Sequence, residues 1–311
     1  MPKDPGVVDA RRVLLPTDQE GEISSTQRTE CSSDSTNPAY EEQLSGVFQL
    51  QAGSQLPFFF LHGDWTGNAF FCFQLAAALG SDQPFYALDT YNLAQYPILP
   101  SLETIAAEQI ALVRKIQPEG PYHLGGFCNG GLIVYEMARQ LRTAGQEVRL
   151  LVLIDAIPTR CVKIRNVIAG MGTLLHLSQQ KQLALYLRLQ HLFRYLTDKY
   201  TEDYAHIKTF DARIASWFPP LETLRHEYPA MFYWATALYK PTCYPGKVTL
   251  FWDEAEPVRW AWWRKMAEGK DAEVDVHIIA GSHKTCKTEG DMGKQLRNCF
   301  DQLRLSPQVA H

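Results

Sequence analysis

The chain has 311 residues, 46% of them hydrophobic and 21% charged, which is enough to bury a full core in one large α/β domain with an insertion, an arrangement favoured over two equal domains. Its formal net charge of -4 gives no basic footprint, which sets nucleic-acid binding aside. Seven cysteines, at positions 31, 72, 128, 161, 243, 286 and 299, are odd in number and show no C-x-x-C spacing, so neither a disulfide framework nor a zinc site is expected. The opening residues Met1-Pro2-Lys3-Asp4-Pro5 lack the apolar core of a signal peptide. No later apolar run is long enough to span a bilayer, and a cytoplasmic location is expected.

Residues 1–45 read as a disordered tail. From Pro16 to about Glu42 the chain is rich in Ser, Thr, Glu, Asp, Gln and Asn with almost no aliphatic side chains, and burial cannot offset its ordering entropy; a tether to another protein is the functional alternative. The folded domain, 46–306, opens with the alternating strand Val47–Leu50 and the apolar run Pro57–Leu61, of the kind buried on both faces of a sheet. A glycine-containing loop, His62 to Asn68, leads to a helix through Phe70, Phe73, Leu75 and Leu79. A strand at Pro84–Leu88, a helix from Ser101 to about Ile116, an apolar strand ending near Phe127 with a helix behind it, and the strand Arg149–Ile154 follow. This alternation of β and α predicts a mostly parallel, doubly wound sheet that binds ligands at the carboxyl ends of its strands.

Between about Pro158 and Tyr239 the pattern turns helical, with Leu183, Leu187, Leu189, Phe193 and Leu196 among its apolar residues. This stretch is expected to be a lid whose apolar face forms part of an acyl pocket. The sheet resumes at Lys247–Trp252 and Glu273–Ile279, and a closing helix runs from about Met292 to Leu303.

The chemistry centres on Gly126-Phe127-Cys128-Asn129-Gly130, a G-x-C-x-G pattern between a strand and a helix. Small residues two before and two after the reactive side chain are what a nucleophile elbow needs, because the chain doubles back so tightly that a Cβ there would clash. The elbow is that of an α/β hydrolase, with sulfur where serine is usual. It sets Cys128 at a helix N-terminus, where the dipole favours a thiolate. The bland reading of Cys128 is a buried, inert thiol in a glycine-rich joint.

The partners lie downstream in hydrolase order: Asp155 directly after the strand ending Leu153-Ile154, and His283 after Ala280-Gly281-Ser282. His283 is the expected base, taking the proton from Cys128 and giving it to the leaving group, while Asp155 fixes the imidazole tautomer and stabilises its charged form. Asp253 also follows a strand and is the alternative acid. The N–H groups of Asn129 and of Asp64 (or Trp65) are the expected oxyanion donors. His62 is expected to be structural, His277 lies inside a strand, and His123 precedes the elbow.

The chain resembles the thioesterase domains that release products from nonribosomal peptide and polyketide synthases. The residues that carry the resemblance are Val47–Gln51, Phe59–Gly63, Gly120–Gly131, Tyr135–Leu141, Leu151–Asp155, Tyr244–Val248 and Gly281–His283. It extends over nearly everything after residue 46 and is most specific at the elbow helix. It implies the α/β-hydrolase fold, a helical lid, Asp155 as the acid, no cofactor of its own, and a substrate delivered on the phosphopantetheine of an acyl or peptidyl carrier protein. The acceptor is then water or a small-molecule amine or hydroxyl, with neither membrane nor nucleic acid as partner.

The usual serine is replaced by Cys128, which changes the energetics of the intermediate more than the mechanism. Two other readings stand beside this one. A dienelactone-hydrolase-like or other small-ester hydrolase also uses a cysteine elbow, but the 128 residues from Asp155 to His283 (283 − 155) are long for that compact type. A catalytically inactive carrier-binding module is disfavoured by the retained Asp155 and His283.

Overall fold

The computed structural model describes residues 46–63, 70–89, 91–156, 162–197, 219–253, 262–263, 272–281 and 291–305; the tail expected at 1–45 lies outside them. Among the described residues seven strands form one sheet: β1 (Val47–Gln51), β2 (Phe58–Leu61), β3 (Phe85–Leu88), β4 (Tyr122–Phe127), β5 (Val148–Ile154), β6 (Lys247–Asp253) and β7 (Glu273–Ile279). The spatial order is β1-β3-β2-β4-β5-β6-β7. β1 pairs antiparallel with β3, and every other pairing is parallel.

The central strands are apolar throughout because helices cover both faces. On one face Phe58 meets Phe85 at 5.5 Å and Phe300 at 5.2 Å between ring centroids; Phe300 belongs to α8 (Met292–Leu305), the last helix. Phe71, on α1 (Phe70–Ala78), packs against Phe60 and Phe127 on that same face. Docking through Phe71 turns Cys72, Leu75 and Ala76 inward and leaves Phe70 and Phe73 exposed, so only part of the apolar stripe expected of this helix is core. The other face carries α2 (Leu102–Ile116) and α3 (Asn129–Thr143), packed together. The Ser101 hydroxyl caps α2 by accepting from the Thr104 N–H at 3.2 Å, with Glu103 in the first turn and Arg114 and Lys115 in the last, as the helix dipole favours.

Between β5 and β6 the chain forms α4 (Val162–Leu174), α5 (Gln179–Thr197), α6 (Leu221–Arg225) and α7 (Tyr228–Thr236) among the described residues. Leu183, Tyr186 and Leu187 of α5 are buried, with Tyr186 at 4.9 Å from Trp234 of α7. Arg165 of α4 donates to the Trp234 carbonyl and lies 4.7 Å above its indole ring. Leu174, Leu175, Leu189, Phe193 and Leu196 are exposed, so the leucine stripe divides between the lid's interior and its outer surface.

One buried carboxylate joins α3 to the chain leaving the lid. Glu136 is fully buried and accepts from Arg139 (2.8 and 2.9 Å), from Gln140 (2.9 Å) and from the Tyr239 hydroxyl (2.8 Å). The adjacent Tyr135 hydroxyl donates to the Thr242 carbonyl at 2.8 Å. Among the described residues, no helix is long and apolar enough to cross a membrane.

His123, near the start of β4, packs edge-on against Phe300 and is buried. Burial first, then the Arg149 guanidinium, push its imidazole down from 6.5 to about 4, against the Leu56 carbonyl, which favours the proton. The unfolded chain therefore takes up a proton below about pH 6.5 that the folded one refuses until about pH 4, and stability present above the unfolded value is lost as pH falls through that window. Denaturant unfolding of the wild type should lose up to about 3 kcal/mol from this group between pH 6.5 and 4, and His123→Gln should flatten that part of the profile.

Candidate active site

The site is built where β4 and β5 end. Their register sets Phe127 opposite Ile154, so Cys128 and Asp155 are the next residues on two neighbouring strands, level with each other. The Cys128 N–H donates to the Ile154 carbonyl at 2.9 Å and carries the ladder one step past the strand, while the Asp155 N–H donates to the Phe251 carbonyl of β6 at 2.8 Å. Both residues have left-handed backbones, Cys128 at φ 54° and Asp155 at φ 41°. Such conformations cost on the order of 1–3 kcal/mol each away from glycine, and they collect where a site requires them.

The two elbow glycines act against different neighbours. A Cβ on Gly126 would lie 2.7 Å from the backbone of Gly130 and Gly131, so this residue lets the helix fold back on its own strand. A Cβ on Gly130 would lie 2.4 Å from the Leu61 carbonyl oxygen, so this one lets α3 approach β2. Cys128 is 1% exposed and stands as the N-cap of α3. The Asn129 N–H, first of that helix, has no intrahelical acceptor. The Asn129 side chain is buried and has no hydrogen-bond partner among the described residues. Gly63 lies so close above the elbow that a Cβ there would sit 1.9 Å from the Phe127 carbonyl oxygen, which brings the start of the loop leading to Asp64 directly over the turn.

Asp155 is fully buried. Asp253, the alternative acid, ends β6 one strand further away, one position past Trp252, which lies level with Asp155 by the register of Ile154 with Phe251. His283, Asp64 and Trp65 lie outside the described residues; His283 follows Ile279, the last residue of β7, by four positions. His62 is buried at the end of β2 with its Nε2 3.9 Å from the Asp89 carboxylate. His277 lies within β7, stacked on Phe251 at 4.9 Å.

Sequence reasoning missed Asp89 and Tyr228. Asp89 follows β3 as Asp155 follows β5, and that strand-end position was its only signal. Tyr228, the first residue of α7, has its titration raised by burial first, then by the charges of Asp89 and Cys128, and nothing local in the sequence marks it.

A family model described as Thioesterase domain matches residues 62–303, most of the chain. The protein belongs to the thioesterase domain family. Among its curated relatives are synthases: a dimodular nonribosomal peptide synthase of Bacillus subtilis (strain 168) is 39% identical over 117 residues, 37% of this chain and 5% of that protein. A non-reducing polyketide synthase of Pseudevernia furfuracea is 37% identical over 113 residues, 36% of this chain and 4% of that one. An atromentin synthetase of Paxillus involutus named inactive is 30% identical over 138 residues, 44% of this chain and 14% of the relative. The thioesterase domain thus spans a small fraction of the relatives it matches.

Among solved structures, the NocB thioesterase domain from the nocardicin cluster superposes with a TM-score of 0.51 at 22% identity, over 82% of this chain and 99% of that one. The thioesterase domain SrfTE, described in the cyclisation of the lipopeptide antibiotic surfactin, gives 0.51 at 15% identity over 86% and 98%. At these identities the likeness is one of fold, and the fold is that of the α/β hydrolases.

The close approach at Gly130 generates a prediction. Gly130→Ala should force α3 away from β2, cost about 1–3 kcal/mol in denaturant unfolding, and slow alkylation of Cys128 by iodoacetamide, followed by peptide mass, more than about tenfold because the elbow no longer closes.

Proposed function

We propose that this thioesterase domain takes an acyl, peptidyl or polyketidyl group from the phosphopantetheine thioester of a carrier protein onto Cys128, and releases it by hydrolysis, cyclisation or transfer to an amine or hydroxyl acceptor. The observation that carries this reading is a cysteine in the strained elbow conformation, at the head of α3, with a buried carboxylate level beside it on the next strand.

In this reading His283 accepts the Cys128 proton, and the thiolate attacks the thioester carbonyl. The N–H groups of Asn129 and Asp64 hold the developing oxyanion, and the carrier's thiol leaves with the proton from His283. Asp155 holds the imidazole in the required tautomer and stabilises its charged form. The transfer exchanges one thioester for another, so the acyl-enzyme keeps an activation that a serine oxoester would lose. Amines, hydroxyls and water all remain competent acceptors. The lid then selects the acyl group by apolar burial, worth roughly 25 cal/mol per Å².

A second reading, a carrier-binding module without chemistry, is favoured by the relative named inactive. Intact-protein mass spectrometry with acyl thioesters separates the two. The wild type should accumulate an acyl adduct that Cys128→Ala abolishes, while Cys128→Ser should retain part of the reaction and shift products towards hydrolysis. Asp155→Asn should lower turnover by about tenfold or more with the fold intact. Absence of adduct in the wild type would favour the inactive module, and a larger loss in Asp253→Asn than in Asp155→Asn would move the acid to β6.

A further inference from the structure

The amino ends of the strands frame a second cavity, at the edge of the sheet away from the elbow. Four neighbouring strands contribute to it in the order β3, β2, β4, β5: Gln83 and Leu56 stand two residues before the starts of β3 and β2, while His123 and Arg149 are the second residues of β4 and β5. The end of α8 closes one side with Phe300, Leu303 and Arg304. The cavity measures about 570 Å³, within the roughly 300–1,000 Å³ of small-molecule sites. From His123 to Cys128 the chain runs five residues along β4, roughly 17 Å of extended backbone, so this cavity is separate from the nucleophile.

Among the described residues two guanidiniums line this cavity and no carboxylate does. Arg149 donates to the Leu303 carbonyl at 3.4 Å and forms no ion pair among the described residues. Arg304 pairs through Nη1 with Asp301 at 3.1 Å and turns Nη2 towards the Gln83 Oε1 at 3.4 Å. The carboxylate of Asp82, beside the rim, already accepts from the Ser54 N–H and hydroxyl at 2.9 Å each and from Gln55 at 3.0 Å. The imidazole of His123 is uncharged at neutral pH, so the charge facing the cavity is that of the two arginines. A guanidinium presents a planar fork that matches phosphate or carboxylate oxygens. The wall beside the arginines is apolar and held in place, with the Phe300 ring 5.2 Å from Phe58 and 5.5 Å from His123.

We infer that this cavity is a second binding site, for a small phosphomonoester whose phosphate is held between Arg149 and Arg304 and whose apolar portion lies against Leu56, Phe300 and Leu303. Two guanidiniums match the charge of a phosphomonoester, close to two at neutral pH, better than that of a single carboxylate. The site stands whether or not Cys128 transfers acyl groups. A ligand there bridges the amino ends of the central strands and α8, and stabilises the folded chain by mass action.

The test is isothermal titration of the full chain with phenyl phosphate near neutral pH, beside benzoate and inorganic phosphate. Phenyl phosphate should saturate at submillimolar concentration. Benzoate should bind about tenfold more weakly for want of the second charge, and inorganic phosphate about tenfold more weakly for want of the apolar part. Arg149→Gln and Arg304→Gln should each weaken phenyl phosphate binding by about tenfold or more, and added salt should weaken it in the wild type. In the complex the His123 imidazole, identified by NMR against His123→Gln, should titrate above its value of about 4, because the anion offsets the nearby guanidiniums. Protein alkylated at Cys128 should bind phenyl phosphate unchanged. Failure to saturate, or unchanged affinity in both arginine variants at an unchanged unfolding midpoint, overturns the site. Loss of binding on alkylation assigns the ligand to the elbow and overturns it equally. Benzoate as tight as phenyl phosphate overturns the choice of head group, and inorganic phosphate as tight as phenyl phosphate overturns the apolar contact.

Discussion

The structure depends on one close approach, that of the helix behind Cys128 to the strands it rises from. Removing the Cβ atoms at 126 and 130 lets α3 fold back on β4 and rest on the Leu61 carbonyl, and the Cys128 N–H then reaches Ile154 on the neighbouring strand. These contacts leave the cysteine no ordinary backbone conformation, so the strain at φ 54° is imposed by the packing around it. The parallel sheet supplies the rest: adjacent strands in register deliver Asp155 to the same level with no further specification.

That economy explains what could be read from the residues alone. The strands were legible because a sheet covered on both faces writes continuous apolar runs, and each expected strand lies within a residue or two of its observed limits. The elbow was legible because its glycines are forced by sterics that do not depend on distant parts of the chain. The neighbours of the site were less legible for the opposite reason. Tyr239 meets Glu136 of α3 only because the chain returns to that helix, a relation between residues 103 apart that no local pattern records. The helix through Phe70 and Phe73 shows the same limit, since an apolar residue can be identified from its type, while the side it faces is decided by which ring docks first.

The lid illustrates how composition and position separate. Its leucines are spaced for helices, and helices form, but Leu189, Phe193 and Leu196 are exposed while Leu183 and Leu187 are buried. An apolar residue in an insertion is thus evidence of a helix before it is evidence of a pocket. The polar side chains are the more informative ones here, because Arg165, Arg194 and Arg225 each fix a helix end or a turn at a definite place.

The attachments of the lid have a mechanical consequence. Where the chain enters it, the Ala156 carbonyl accepts from the buried Trp263 indole at 2.8 Å; where the chain leaves it, Tyr239 is tied to Glu136 inside α3. Both roots are thereby fastened to the body that carries the nucleophile, and between them Arg225 adds a further tie to the Tyr96 carbonyl. A pull on the lid helices is therefore carried into the frame that holds Cys128 and Asp155.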